Sequence, residues 1–265
     1  VSDRSKIFDS LDGFFVPREN LIFYEVNDNK INQKMKIFLT GSEGFIGSHL
    51  LPKLLSLGHK VVTDFKYFQS CHFDAIIHLS AVTNISKEFM PQMFEKNIVL
   101  TKEIFNKPCR IIYASSCSAE HLTNPYAYTK RYAEYLGSNH PNALGLRFFN
   151  VYGPGNNKGI VKFLMDQPDG AEINIRGPEL VRDYISVFCV VEEIIKSLTY
   201  NPGVYDVGTT TGVKTIDVVN TYMNISGKKF AINFSEAEDN EPLEMISSRR
   251  VTNIELYDGL KAVII

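Results

Sequence analysis

Tyr126 and Lys130 stand four residues apart in the segment NPYAYTK, and Ser116 precedes the tyrosine in the run YASSCS. Asn124 followed by Pro125 is a helix start, a side-chain cap and then a proline at the first helical position. The spacing then sets Tyr126 and Lys130 on one face of that helix. A phenol has an ordinary pKa near ~10 and is a poor base at neutral pH. A neighbouring ammonium favours the phenolate, so the expectation is a Tyr126 hydroxyl made more acidic. Tyr126 would then exchange a proton with a substrate hydroxyl, and Ser116 would hydrogen-bond the same oxygen. Alone, Tyr-x-x-x-Lys is better read as a surface helix with an amphipathic tyrosine. The elements around it decide otherwise.

From Met35 onward short apolar runs alternate with helical patterns, the signature of βαβ units and a parallel sheet. Strands are expected at 36–40, 61–64, 75–79, 110–114 and 143–148, and helices at 45–57, 91–106, 125–137 and 189–200. In the first helix Ile46, Leu50, Leu54 and Leu57 fall on one face, and Gly58 ends it. The loop TGSEGFIGSHL joins the first strand to this helix. Gly41 suits a tight turn, Gly44 a close approach of backbone to a pyrophosphate, and Gly47 close packing of helix on strand. The free N–H groups at the helix start would face the phosphates. A dinucleotide cofactor is therefore expected, held also by Phe45 and Ile46 and, after the strand 75–79, by Leu79, Ser80 and Ala81. Asp64, at the end of the second strand, is placed to read the adenosine ribose and favours NAD. Lys66 lies close enough to accept a 2′-phosphate, which keeps NADP open. A cationic nicotinamide ring would act on Tyr126 in the same sense as Lys130.

The chain of 265 residues is 44% hydrophobic, enough for one large α/β domain with an appendage. A net charge of -2, with Lys and Arg scattered, offers no footprint for nucleic acid or an anionic membrane. No apolar run approaches the roughly 20 residues of a membrane span. The opening VSDRSKIFDSLDGFF lacks the order of a signal peptide. The four cysteines have neither metal-ligand nor disulfide-framework spacing, so no metal and a reducing, cytoplasmic setting are expected. Residues 1–34 read as an extension and linker, 35–155 as the dinucleotide-binding domain, and 156–265 as a substrate-binding lobe with returning sheet elements.

The motifs MKIFLTGSEGFIGSHL, FDAIIHLSA, NIVLT, YASSCS, NPYAYTK, LRFFNVYGPG, RDYISV and GVYDVGT occur in order from Met35 to Gly208. In them the chain resembles the extended short-chain dehydrogenase/reductase family of nucleotide-sugar epimerases, dehydratases and reductases. The resemblance implies a Rossmann-type doubly wound sheet, with Ser116, Tyr126 and Lys130 as catalytic residues. The family's catalytic Ser/Thr lies three positions before a Val-Tyr-Gly. Ala119 takes the valine's place here, which selects Ser116 over Ser115. It further implies that Asn150 and Arg182 hold a nucleotide-diphosphate sugar, the arginine by bidentate pairing. A homodimer is implied too, through the helices at 91–106 and 125–137, with Phe94, Ile98, Tyr132 and Tyr135 as its apolar seam.

The chain departs from the family in three places. The short stretch between Asp64 and Asp74 leaves the sheet one strand short and removes contacts to adenine. The loop from Ser116 to Tyr126 is shortened, with Ala119-Glu120-His121 in place of Val-Tyr-Gly. The substrate lobe is expected to be truncated. A dehydratase of this family would carry Asp-Glu after the catalytic Ser/Thr, and Cys117-Ser118 disfavours that chemistry. Ser115-Ser116-Cys117 fits a 3,5-epimerase/4-reductase, but the histidine acid of that branch has no counterpart in GPGNNKGIVKF. Cys117 reads as a small buried residue and His78 as a packed or hydrogen-bonded one. A 4-epimerase-like cycle on NAD remains, with two alternatives: a reductase of a keto-deoxy nucleotide sugar, and a non-catalytic dinucleotide-binding protein.

Overall fold

The computed structural model describes residues 33–239 and 241–264. The extension expected at 1–34 therefore lies outside the described residues, apart from Gln33 and Lys34. Six parallel strands form the central sheet: β1 (Lys36–Thr40), β2 (Lys60–Val62), β3 (Ala75–His78), β4 (Arg110–Ser116), β5 (Ala143–Phe148) and β9 (Gly203–Val207), in the order β2-β1-β3-β4-β5-β9. Side chains alternate between its faces, as the strand period of two requires. Ile37, Leu39, Ala75, Ile77, Ile112 and Leu144 face the helices α1 (Phe45–Ser56) and α5 (Val187–Ser197). Phe38, Ile76, Ile111 and Tyr113 face the helical run 90–105, named α2, and α3 (Pro125–Ser138). This is the doubly wound α/β fold that the motifs implied.

β2 is the sheet's edge, and among the described residues no strand lies outside it. The short return to β3 has no room for a packed helix. An aromatic cluster covers the sheet there instead: Phe65, Phe68 and Phe73 pack on Phe38 with ring centroids 5.2, 4.9 and 5.1 Å away. Such contacts bury a large apolar area in few residues.

Three local expectations need correction. Leu57 caps α1 and is 44% exposed, because the chain turns away at Gly58, whose φ is +83°. β2 ends at Val62, short of Asp64, because the Asp64 carboxylate accepts the Lys66 N–H at 2.9 Å and caps a 3-10 turn. α5 starts earlier than expected, since Ser186 caps it directly from the preceding strand.

α2 is an α-helical turn Met90–Met93, a π-helical stretch Phe94–Val99 and an α-helical stretch Leu100–Phe105. Asn97, buried in the π-helical stretch, bonds the backbone N–H and C=O of Val82, both at 2.8 Å, and Thr129 Oγ1 at 3.1 Å. The loop after β3 is thereby tied to α3.

The remaining elements pack against the far end of the sheet: β6 (Asn150–Tyr152), α4 (Gly159–Asp166), β7 (Glu172–Arg176), β8 (Val181–Ser186), β10 (Gly212–Lys214), α6 (Thr215–Ser226), β11 (Ala231–Ser235), β12 (Glu244–Met245) and α7 (Leu256–Ile264). Strands β10, β8 and β12 form one small sheet, β6 pairs with β8, and β7 pairs with β11. Asp183 on β8 is fully buried and accepts hydrogen bonds from Thr209, Thr210 and Ser247. That carboxylate staples β8 to the turn after β9 and to the 247 segment.

Candidate active site

One crevice of about 980 Å³ opens where the loops after β1, β3, β4 and β6 meet β8. Gly41, Gly44, Phe45, Ile46 and Gly47 form one wall, with Leu79 and Ala81 beside them. Ser116, Tyr126 and Lys130 line its middle, and Asn150 and Arg182 its far side. Of the residues expected from sequence, Ser80 and Asp64 are not among the lining. Ser80 instead packs behind Gly41, where a Cβ would stand 2.7 Å from the Ser80 nitrogen.

The glycine loop fits a pyrophosphate. Gly41 has φ +72°, and a Cβ on Gly47 would come 2.0 Å from the Gly41 carbonyl oxygen. The first turn of α1 has neither a side-chain cap nor an acidic residue, so its N–H groups and positive dipole end stay available to an anion.

Asn124 caps α3 by accepting the Ala127 N–H at 3.0 Å, and this fixes the turn carrying Tyr126 and Lys130. Lys130 is 7% exposed and its Nζ donates to the Ala114 carbonyl at 2.7 Å. Burial, and then the ammonium of Lys158, push Lys130 down to about 8, while Glu134 opposes them. Ser115 and Ser116 point apart. Ser115 donates to the buried Glu134 at 2.6 Å, so its hydroxyl is committed to α3. Ser116 caps the 3-10 turn Cys117–Glu120 and hydrogen-bonds Tyr126.

The expected acidification of Tyr126 is not met in the protein alone. Burial pushes the phenol up, Cys117 adds to this, and only the Ser116 hydrogen bond acts the other way. Lys130 Nζ lies 5.5 Å from the Tyr126 ring centroid and donates to the Ala114 carbonyl rather than to the phenol. Cys117 is buried, with its thiol pushed up to about 11 by burial. His78 is buried between Thr40 and Thr101, at 2.7 and 3.0 Å, and burial pushes it down to about 3. Both match the packing roles expected of them.

Asn150 donates to the Asp183 carbonyl at 3.2 Å. The Arg182 guanidinium donates to the carbonyls of Val181 and Leu243, at 2.9 and 3.1 Å, and pairs with Glu241 at 2.9 Å. Arg176 also approaches Glu241, at 3.4 Å. The crevice residues Lys158, Arg176, Glu241 and Thr83 escaped the sequence motifs. They sit in the loops and lobe outside the residues that the motifs singled out, and only charge within those segments could have signalled them.

The sequence model of the NAD dependent epimerase/dehydratase family matches residues 63–208, more than half of the chain. The chain belongs to this family. Its members are NAD-dependent enzymes, and the glycine loop described above is where this one would hold NAD. Among curated relatives, UDP-glucose 4-epimerase of Pisum sativum is 23% identical, over 88% of this chain and 92% of its own. CDP-abequose synthase of Salmonella typhimurium is also 23% identical, over 82% and 91%. Among solved structures, UDP-glucose 4-epimerase of Thermotoga maritima, crystallised with UDP-glucose, superposes with a TM-score of 0.76 at 21% identity. That match covers 87% of this chain and 97% of that one. The fold is thus that of the family's nucleotide-sugar enzymes. No helix among the described residues is long and apolar enough to cross a membrane.

Proposed function

We propose that this protein is an NAD-dependent nucleotide-sugar epimerase that works through a transient 4-keto sugar. The observation that carries the reading is the meeting of Tyr126, Ser116 and Lys130 with the glycine loop in one crevice. In it Ser116 and Tyr126 hold the hydroxyl of the reacting carbon, and Tyr126 accepts its proton as the carbon is oxidised. NAD, held at the glycine loop, would supply a hydride acceptor that a closed cycle regenerates, and a positive charge that favours the phenolate. The loss of Tyr126 acidity in the protein alone is consistent with a base that is activated only once cofactor is bound. Lys130 holds the Ala114 carbonyl and sets the positive potential of the site.

Asp64 is read as the ribose contact, already held by its own turn and by Lys66 at 2.7 Å. Arg182 and Asn150 are read as contacts of the nucleotide-diphosphate sugar. For Arg182 this requires Glu241 to yield part of the guanidinium. The segments 35–155 and 156–265 are read as the cofactor and substrate halves of the crevice. The outer faces of α2 and α3 expose Phe94 at 56% and Tyr135 at 42%, which supports the expected homodimer. The cysteines among the described residues are all free thiols, consistent with the cytoplasmic reading.

The decisive test is Tyr126→Phe. Turnover should fall by about 10²- to 10⁴-fold, the range of acid–base catalysis, with the fold intact by circular dichroism. Unchanged turnover would remove the phenol from the chemistry. Stoichiometric NADH oxidation by a keto sugar, in place of a closed cycle, would convert the reading to a reductase.

A further inference from the structure

The crevice is lined by four cationic side chains, Lys130, Lys158, Arg176 and Arg182, and by a single carboxylate, Glu241. These charges are unevenly matched. At the arginine end they are already balanced, because Glu241 pairs with both Arg182 and Arg176, and Arg176 also pairs with Glu238. At the reaction end they are not. Lys130 bonds only the neutral Ala114 carbonyl, and Glu134, which acts on it, is committed to Arg147 at 2.7 and 2.8 Å and to Ser115. Lys158 reaches across the crevice to the hydroxyl of Thr83, also neutral, on the loop after β3. Among the described residues no carboxylate pairs with either lysine.

Two further features add to the positive field at that end. The ammonium groups of Lys130 and Lys158 are close enough to repel each other. Lys158 also stands immediately before α4, whose first turn has neither a side-chain cap nor an acidic residue. The positive end of the α4 dipole therefore supports the lysine in attracting an anion. Thr83 lines the crevice with Leu79 and Ala81, on the loop after β3, and the Lys158 ammonium acts on Lys130, so this lysine lies at the reaction end of the crevice.

We propose that the substrate is a nucleotide-activated sugar acid, and that Lys158 receives its carboxylate beside Lys130. This rests on the nucleotide-sugar reading above and narrows its substrate class. Lys158 is the lysine free for the role. It is exposed at the mouth of the crevice, and exchanging a hydroxyl partner for a carboxylate adds the attraction of opposite charges to the hydrogen bond. A neutral hexose would leave this ammonium with hydroxyl partners only.

The test uses the purified protein with NAD and titration calorimetry. UDP, GDP, dTDP, CDP and ADP are titrated first, and the nucleotide that binds best is then used as its glucose and glucuronate conjugates. The glucuronate should bind at least ten-fold more tightly. Lys158→Gln should bring the ratio of the two affinities close to one, and Lys158→Arg should keep most of it. Equal binding of the two conjugates by the unaltered protein would overturn the proposal while leaving the nucleotide-sugar reading intact. So would a Lys158→Gln variant that weakens both conjugates and the bare nucleotide by one factor, since the lysine would then serve the diphosphate. Failure of all five nucleotides to bind would sink the nucleotide-sugar reading and this proposal with it.

Discussion

Lys130 carries an electrostatic cost in the folded protein. Its ammonium is withdrawn from water, and its pKa falls from 10.5 to about 8. A pKa depressed in the folded state means that folding favours the neutral amine. Below pH 8 the lysine is charged whether folded or not, and the cost is fully present. It fades as pH rises from about 8 towards 10.5. A fall of this size corresponds to about 3 kcal/mol at most, against which stands the lost hydrogen bond to Ala114, worth about 1–2 kcal/mol. Lys130→Met is therefore expected to be more stable than the parent at pH 7, by about 1 kcal/mol, while turnover is lost. Denaturant unfolding at pH 7 and pH 10 checks this, because the advantage should shrink at the higher pH. Of the residues that could do chemistry, Tyr126 and Lys130 were legible from their spacing together with the elements around them, and Ser116 was singled out from Ser115 by the family resemblance. The direction of the Tyr126 shift was not legible, because desolvation depends on what surrounds the ring and spacing carries no information about that.

Among the elements, the β1–loop–α1 unit depends most narrowly on residue type. Gly47 sits in the first turn of α1, with no space between it and the Gly41 carbonyl. A methyl group there must push helix and loop apart. Gly47→Ala should cost about 1–3 kcal/mol, as overpacking does, and NAD binding measured by fluorescence titration should be lost with it. NAD binding close to that of the parent would show that the loop has slack which the backbone geometry denies. The helices and strands of this half were readable because their periodicity reports burial on a single face. Leu57 was misread because periodicity does not say where a helix ends. Gly58 stops α1 one residue too early for Leu57 to reach the core. The π-helical stretch in α2 was hidden for a related reason: it exists to turn Asn97 inward towards Val82 and Thr129, partners far away in sequence.

For the molecule as a whole, the loss of one strand leaves a narrower sheet whose edge is β2, with aromatic rings standing in for the missing cover. The outer surface of α2 and α3 exposes aromatic side chains. If this face joins two copies, Phe94→Glu together with Tyr135→Glu should move the protein from dimer to monomer by multi-angle light scattering. A dimer unaffected by the double substitution would assign the interface elsewhere. Placing like charges in an apolar interface opposes association strongly, since each must be buried without a partner.

From sequence alone followed the α/β class, the glycine loop and the Ser–Tyr–Lys spacing, because each is a local pattern of residue type against backbone period. The tertiary structure alone decided which charges face one another across the crevice. Asp183, read only as part of a motif, became a buried staple, Arg182 was matched by Glu241, and Lys158 was left without a counter-charge. These pairings join residues far apart in the chain. Only folding brings them within the few ångströms over which a charge selects its partner.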